Sequence, residues 1–308
     1  MQPALDLPPP RATGSPFSLD DDGSYRCWRD AKLAQRARSV AELIVEVRDP
    51  LALADAERVA LLQRCARWNM AVYRTPGGCD DRSAARAVGR QLGLERLDAN
   101  WLADEDGLSS IAVGGGGAAA AADRAGYIPY TQHALKWHTD GYYHPQERRI
   151  RAMTLHCARA AAHGGVNRLL DHELAYIALR DALPEGLRAL MAADAMTIPA
   201  REEADGSVRA AQSGPVFSVD ADDGALHMRY TARTRSIAWR ADAATRAAVA
   251  FLERFLADDN PFALRLKLEP GMGIVAHNVL HDRSAFVDDP ARPRLVWRAR
   301  YLDRVAML

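Results

Sequence analysis

The segment Trp137-His138-Thr139-Asp140-Gly141 sets an imidazole and a carboxylate two positions apart. In an extended strand, alternate side chains share a face, so His138 and Asp140 would point the same way. A second imidazole from a distant segment would complete a two-histidine, one-carboxylate set. That set suits non-haem Fe(II) and leaves coordination positions open for other molecules. The pair alone is a weak signal, because so short a motif recurs by chance. The C-terminal block Ile274-Val275-Ala276-His277-Asn278-Val279-Leu280-His281-Asp282-Arg283 supplies two candidate partners, His277 and His281. Four residues separate them, which would suit one face of a helix, but the setting is a strand leaving the Pro270-Gly271 turn. Arg294 follows His281 by 13 residues, and Arg298 follows four later. A planar, permanently charged guanidinium is the side chain best matched to a carboxylate.

Many short strands must position these groups. From residue 127 onward, apolar runs recur between turn signals: 152–157, 168–170, 216–219, 226–230, 263–268, 274–276 and 295–301. That texture predicts a mainly β chain with helical additions, a sandwich or barrel. Helical patterns are expected at 53–69, 82–94, 172–192 and 241–257, with strands at 41–47 and 71–74. The first 24 residues, with Pro8-Pro9-Pro10 and Asp20-Asp21-Asp22-Gly23, read as an exposed arm. Residues 25–308 read as a single domain with helical insertions, because no strong linker divides them. The glycine- and alanine-rich stretch 114–122 reads as a surface insertion or as a lid beside a site.

Composition narrows the class. The chain has 308 residues, 48% of them hydrophobic and 26% charged, an ordinary globular balance. Forty basic residues meet 40 acidic ones, so no basic footprint for nucleic acid is expected. No apolar run long enough for a membrane span is present, and no secretory leader is visible. The cysteines Cys27, Cys65, Cys79 and Cys157 have neither zinc-ribbon nor CxxC spacing. They read as reduced thiols of a cytoplasmic protein.

Taken in order, several motifs resemble those of the taurine dioxygenase and γ-butyrobetaine hydroxylase superfamily of Fe(II)/2-oxoglutarate-dependent oxygenases. They are Pro129-Tyr130-Thr131, His138-Thr139-Asp140, Leu155-His156-Cys157, Gly164-Gly165, Leu170-Asp171, Leu268-Glu269-Pro270-Gly271, Val279-Leu280-His281-Asp282-Arg283 and Arg294-Leu295-Val296-Trp297-Arg298. The resemblance covers residues 130–300. It implies a double-stranded β-helix, or jelly roll, with iron between the sheets. It implies His138, Asp140 and His281 as metal ligands, with Fe(II) as the cofactor and 2-oxoglutarate and O2 as co-substrates. Arg294 matches the residue that grips the distal carboxylate of 2-oxoglutarate, and Asn167 falls where a second contact to that carboxylate is common. Val166 departs from the usual acidic residue, and His277-Asn278 stands where relatives often carry an Asn-Arg pair. An intact Asp140 favours hydroxylation, desaturation or cleavage over halogenation.

The substrate side is thinner. Arg298 falls where relatives bind substrate or support the co-substrate. Arg283 is read as an anion contact or a brace for the metal site. Trp137, Tyr142 and Tyr143 could form an aromatic wall, even for a quaternary ammonium, or simply pack the core. Arg229 and Arg233 are candidates for a substrate carboxylate or sulfonate, whereas Arg235 reads as solvated. His277 reads as structural. The expectation is an oxygenase acting on a small polar molecule, with a charged one favoured. No nucleic-acid or membrane partner is expected, and homo-oligomerisation is implied by the relatives. The alternative is a non-catalytic jelly roll that senses 2-oxoglutarate or keeps the metal for structure.

Overall fold

The computed structural model describes residues 14–98, 104, 106–113, 127–202, 206, 208–233, 237–257 and 259–307. The stretch 114–122, Arg235 and residues 1–13 of the expected arm lie outside them. The rest of that arm is not wholly exposed. Phe17 is buried edge-to-face against Trp28 and Tyr176, with centroids at 4.9 and 5.5 Å. Burial of a whole aromatic ring outweighs the turn-forming context around it. Helix α1 (Asp22–Gln35) already begins inside the arm, capped by Asp21, whose carboxylate accepts the Ser24 amide at 2.9 Å.

The remaining helices are α2 (Val40–Leu43), α3 (Asp55–Trp68), α4 (Ala84–Gln91), α5 (His172–Ala182), α6 (Pro184–Leu190) and α7 (Ala243–Phe255). Two expected elements divide. Within 41–47, Glu42 Oε1 accepts the Ser39 amide at 2.9 Å and starts α2, so only Ile44–Glu46 is extended. The stretch 172–192 breaks at Leu183, because Pro184 cannot continue α5 and instead opens α6.

The chain is mainly sheet with helices around it. Ten strands build the two larger sheets: β1 (Ile44–Glu46), β2 (Met70–Arg74), β3 (Ser109–Ile111), β4 (Leu135–His138), β5 (Ala152–Arg159), β6 (Val166–Leu170), β7 (Leu264–Lys267), β8 (Met272–Ala276), β9 (Leu280–Arg283) and β10 (Leu295–Tyr301). One sheet has the order β1-β2-β8-β5-β10-β3 and the other β7-β6-β9-β4. Among the described residues only the β1–β2 pair is parallel. The chain leaves β8 in the first sheet and enters β9 in the second through His277-Asn278-Val279. Asn278 takes φ 51°, which lets the backbone turn the corner.

Three apolar layers follow from strand alternation. Between the sheets, Met153, Leu155, Cys157 and Ile274 meet Leu169, Leu264 and Leu266. On the far side of the six-stranded sheet, Tyr73, Val275 and Tyr301 pack on Leu61 and Leu62 of α3 and Val88 of α4. On the far side of the four-stranded sheet, Trp137, Leu170 and Leu280 pack with α5, α6 and α7. The register pairs Leu280 with Leu170, His281 with Leu169, Asp282 with Arg168 and Arg283 with Asn167. His281, Arg283 and Asn167 therefore share the inner face with Leu169, whereas Arg168 and Asp282 face outward as an ion pair.

Candidate active site

His138 ends β4 and sits directly opposite His281 of β9, with ring centroids 4.2 Å apart. Each ring is oriented by a backbone carbonyl. His138 Nδ1 lies 2.9 Å from Lys136 O, and His281 Nδ1 lies 2.9 Å from Val279 O. A carbonyl only accepts, so both Nδ1 atoms carry a proton, and the Nε2 atoms are the ones left for a metal. Asp140 does not continue the strand, which stops at His138. It sits in the following turn, and the Asn278 side chain holds its backbone there. Asn278 Oδ1 accepts the Asp140 amide at 2.7 Å, and Nδ2 donates to Asp140 O at 2.9 Å and to Ile150 O at 2.7 Å. Thus His138 and Asp140 come together by a strand end and a clamped turn, rather than by strand alternation alone.

The three side chains offer ligand atoms that all lie within 4.8 Å of one another. His138 Nε2 stands 3.8 Å from Asp140 Oδ1. Asp140 Oδ1 also accepts from Arg298 Nη1 at 3.0 Å, while Oδ2 is buried with no hydrogen-bond partner. A buried carboxylate oxygen without a partner is costly unless something cationic meets it. Two imidazoles and one carboxylate, oriented in this way, fit Fe(II). The electrostatics agree. Burial, with the neighbouring His281 acting in the same direction, pushes His138 down to about 3, so it stays neutral. Burial opposes ionisation of Asp140, but the charge of Arg298, with smaller effects from His281 and Arg300, holds the carboxyl below its usual range.

Two buried donors have no acceptor, Arg294 Nη1 and Asn167 Nδ2, and Asn167 shares the inner face with His281. Arg294 is 6% exposed, and its guanidinium stands 5.3 Å over the Phe286 ring. Burial lowers its pKa, and the counteracting influences of Cys157 and Asp288 are smaller. The glycine pair shapes this corner. A Cβ on Gly164, at φ 72°, would meet Ala285 O at 2.3 Å. Only glycine lets the Phe286–Val287 strand approach so closely. Two unsatisfied donors, one of them a guanidinium, fit the distal carboxylate of 2-oxoglutarate.

Other expected residues fall differently. Arg283 is spent on carbonyls of the segment leading into β4: Pro129 O at 3.2 Å, Thr131 O at 2.8 Å and His133 O at 2.7 Å. It braces that segment through both terminal nitrogens, while its Nε is buried without a hydrogen-bond partner. Trp137 faces the helices, with the Arg168 guanidinium 4.9 Å over its ring, so it forms no wall beside the triad. The alternation that turns His138 inward turns Trp137 outward. Tyr143 gives its hydroxyl to Arg300 Nη1 as acceptor at 2.8 Å, and its ring already lies 5.6 Å from Arg209 and 5.9 Å from Arg300. That leaves the quaternary-ammonium reading unsupported there. Tyr142 lines a cavity together with Asp140 and Arg229. Arg233 shows a backbone contact to Thr231 Oγ1 at 3.4 Å. His277 is kept from the triad by Asn69 Oδ1 at 3.1 Å and Arg304 at 3.0 Å, as a structural histidine.

Sequence reasoning missed Asn278 as the clamp on Asp140, and its only signal was an Asn between two strands. It also missed Asp98. This fully buried carboxylate receives Arg300, Arg148 and His144 at 2.5, 2.8 and 3.2 Å, and thereby ties the loop after Asp140 to β10.

The taurine catabolism dioxygenase TauD, TfdA family matches residues 31–300. The chain belongs to this family. The family's Fe(II), 2-oxoglutarate and O2 are the set that the donors above fit. A Streptomyces protein named uridine-5'-phosphate dioxygenase is 32% identical over 175 residues, covering 55% of this chain and 62% of that protein. The chain thus spans less than two thirds of that relative's length. Among solved structures, an asparagine oxygenase holding Fe(II), 2S,3S-3-hydroxyasparagine and succinate matches with a TM-score of 0.58 at 18% identity, covering 95% of this chain and 86% of its own. The non-haem iron oxygenase OrfP with Fe and alpha-ketoglutaric acid matches with a TM-score of 0.57 at 16% identity, covering 81% of this chain and 80% of its own. At these identities the likeness is one of fold. Among the described residues no helix is long and apolar enough to cross a membrane.

Proposed function

We propose that this TauD-family protein is an Fe(II)/2-oxoglutarate-dependent dioxygenase that oxidises a C–H bond of a small polar substrate, by hydroxylation first of all. The observation that carries this reading is the triad of His138, Asp140 and His281, with two oriented imidazoles and one unsatisfied carboxylate oxygen. We read the two sheets as a distorted double-stranded β-helix with the site between them. His138, Asp140 and His281 would hold the iron, and Arg294 with Asn167 would hold the distal carboxylate of the co-substrate. When bound, these groups supply the oxidation, in which 2-oxoglutarate and O2 become succinate and CO2 as the substrate gains a hydroxyl.

The chain's own residues prepare that chemistry. Lys136 O and Val279 O fix which imidazole nitrogens face the metal position. Asn278 fixes the backbone of Asp140. The apolar layer around Leu169 and Leu155 excludes water from the inner face. The name of the Streptomyces relative makes uridine 5'-phosphate the first compound to test. The free thiols fit the reading of a cytoplasmic protein, and a homo-oligomer is its expected form.

The deciding experiment is anaerobic titration of the apoprotein with Fe(II) and then 2-oxoglutarate, followed by visible absorption. A weak metal-to-ligand charge-transfer band should appear and saturate, and His138→Ala should abolish it. A folded, metal-loaded wild-type protein without the band would refute the co-substrate assignment and favour a structural metal.

A further inference from the structure

Next to Asp140 lies a small cavity, with room for one group of a substrate rather than for a whole molecule. Its walls are the loop after the triad carboxylate, including Tyr142 and Arg149, and the facing segments that carry Gly214 and Arg229. We propose that this cavity receives an anionic group of the substrate (a carboxylate, sulfonate or phosphate), with Arg149 and Arg229 as its counter-charges. The inference rests on the dioxygenase reading and names the substrate class for the same site.

The charges on these walls do not balance. Arg149 reaches Asp220 Oδ2 through Nη2 at 3.2 Å, but its Nη1 is buried with no hydrogen-bond partner. Asp220 is already claimed more closely by Arg151, at 2.8 Å, and Arg151 also reaches the exposed Asp222 at 3.6 Å. Arg229 is held by backbone carbonyls alone. Its Nε donates to Tyr142 O at 2.7 Å, its Nη1 to Met196 O at 3.2 Å and its Nη2 to Gln212 O at 2.7 Å. Carbonyls orient a guanidinium but carry no countercharge. Burial accordingly lowers the Arg229 pKa to about 10, with no carboxylate acting against it. Burial also keeps His227, on the same wall, uncharged. The wall's carboxylate, Asp140, is already paired with Arg298.

A partly buried Arg229 with no carboxylate partner, next to an Arg149 that shares Asp220 with Arg151, is expensive in a low-dielectric setting. An incoming anion removes that cost, and a guanidinium with a free edge is the group suited to receive it. Local shape supports the same reading. A Cβ on Gly214 would stand 3.1 Å from Arg229 Nη1, so the absent side chain makes room for the guanidinium. Because Asp140 belongs to the same wall, a molecule anchored by its anion would lie next to the triad.

The test uses Fe(II)-loaded protein under anaerobic conditions, saturated with 2-oxoglutarate so that Arg294 is not available to the probe. Sulfate, acetate, uridine 5'-phosphate and uridine are titrated calorimetrically. At least one anion should bind saturably. Arg149→Gln should weaken it roughly 10- to 100-fold while leaving the charge-transfer band unchanged. Asp220 keeps Arg151 in that variant, so the fold should survive. Gly214→Ala, which displaces Arg229 without removing its charge, should also weaken binding. If a probe is turned over, Arg149→Gln should raise KM far more than it lowers kcat. No saturable anion binding, equal affinity in both variants, or uridine binding as well as its phosphate would each overturn the inference. A missing charge-transfer band in the wild-type protein would instead strike the dioxygenase reading.

Discussion

Replacing Arg294 by leucine should act in opposite directions on the empty protein and on co-substrate binding. Arg294 is 6% exposed, and its Nη1 meets no acceptor. An unsatisfied buried donor of this kind costs about 1–3 kcal/mol. Leucine forfeits the contact with Phe286 at 5.3 Å, worth about 0.5–1 kcal/mol. The balance leaves the apoprotein between unchanged and about 2 kcal/mol more stable, a rise in Tm of up to roughly 5 °C. Binding of 2-oxoglutarate should instead lose a two-point charged hydrogen bond, about 2–4 kcal/mol, or roughly 30- to 1000-fold in affinity. Chemical denaturation of the apoprotein reads the first effect, and the anaerobic charge-transfer titration reads the second. An apoprotein that loses more than about 2 kcal/mol, with unchanged co-substrate affinity, would show Arg294 to be a structural residue.

Other outcomes follow from the same geometry. Asn278→Ala removes the clamp on Asp140 and should weaken Fe(II) binding roughly 10- to 100-fold, read by metal titration. An unchanged metal affinity would limit Asn278 to the fold. Arg283→Leu strands three carbonyls and should destabilise the protein by about 3 kcal/mol in urea denaturation. A raised substrate KM with intact stability would instead restore Arg283 as an anion contact. Burial holds His172, His227 and His277 below their ordinary pKa, so the unfolded chain takes up their protons first as pH falls. Their stabilisation is complete above about pH 6.5 and is lost as acid is added. Stability should therefore fall as the pH drops from about 6.5 toward 5.5. Denaturation midpoints that stay level over that range would contradict neutral burial of these rings.

The legible parts of this chain were those set by local periodicity. Leu295–Tyr301 is a strand as expected, and alternation along it turns Arg298 and Arg300 to the same side as Val296. The ordered motifs marked the residues of the triad well before the fold joined them. What stayed hidden depends on contacts between distant segments. Arg283 shares an inner face with His281, but nothing near it in the sequence says that three carbonyls from 129–133 take up both of its terminal nitrogens. Asn278 looked like an ordinary polar residue, since its role needs a left-handed backbone and a partner far upstream. Trp137 was different. The period-two rule that paired His138 with Asp140 already placed the indole on the opposite face.

Asp140 and the Asn278 side chain that holds it are 138 residues apart along the chain. During synthesis, the first two donors emerge long before the third and before the clamp. Closing a loop of that length costs roughly 4 kcal/mol of chain entropy, offset only once both sheets have assembled around it. Iron that met the growing chain would find only two of the three donors. A site assembled in this way would be complete only in the finished fold, which, rather than the short His-Thr-Asp segment, would do the selecting.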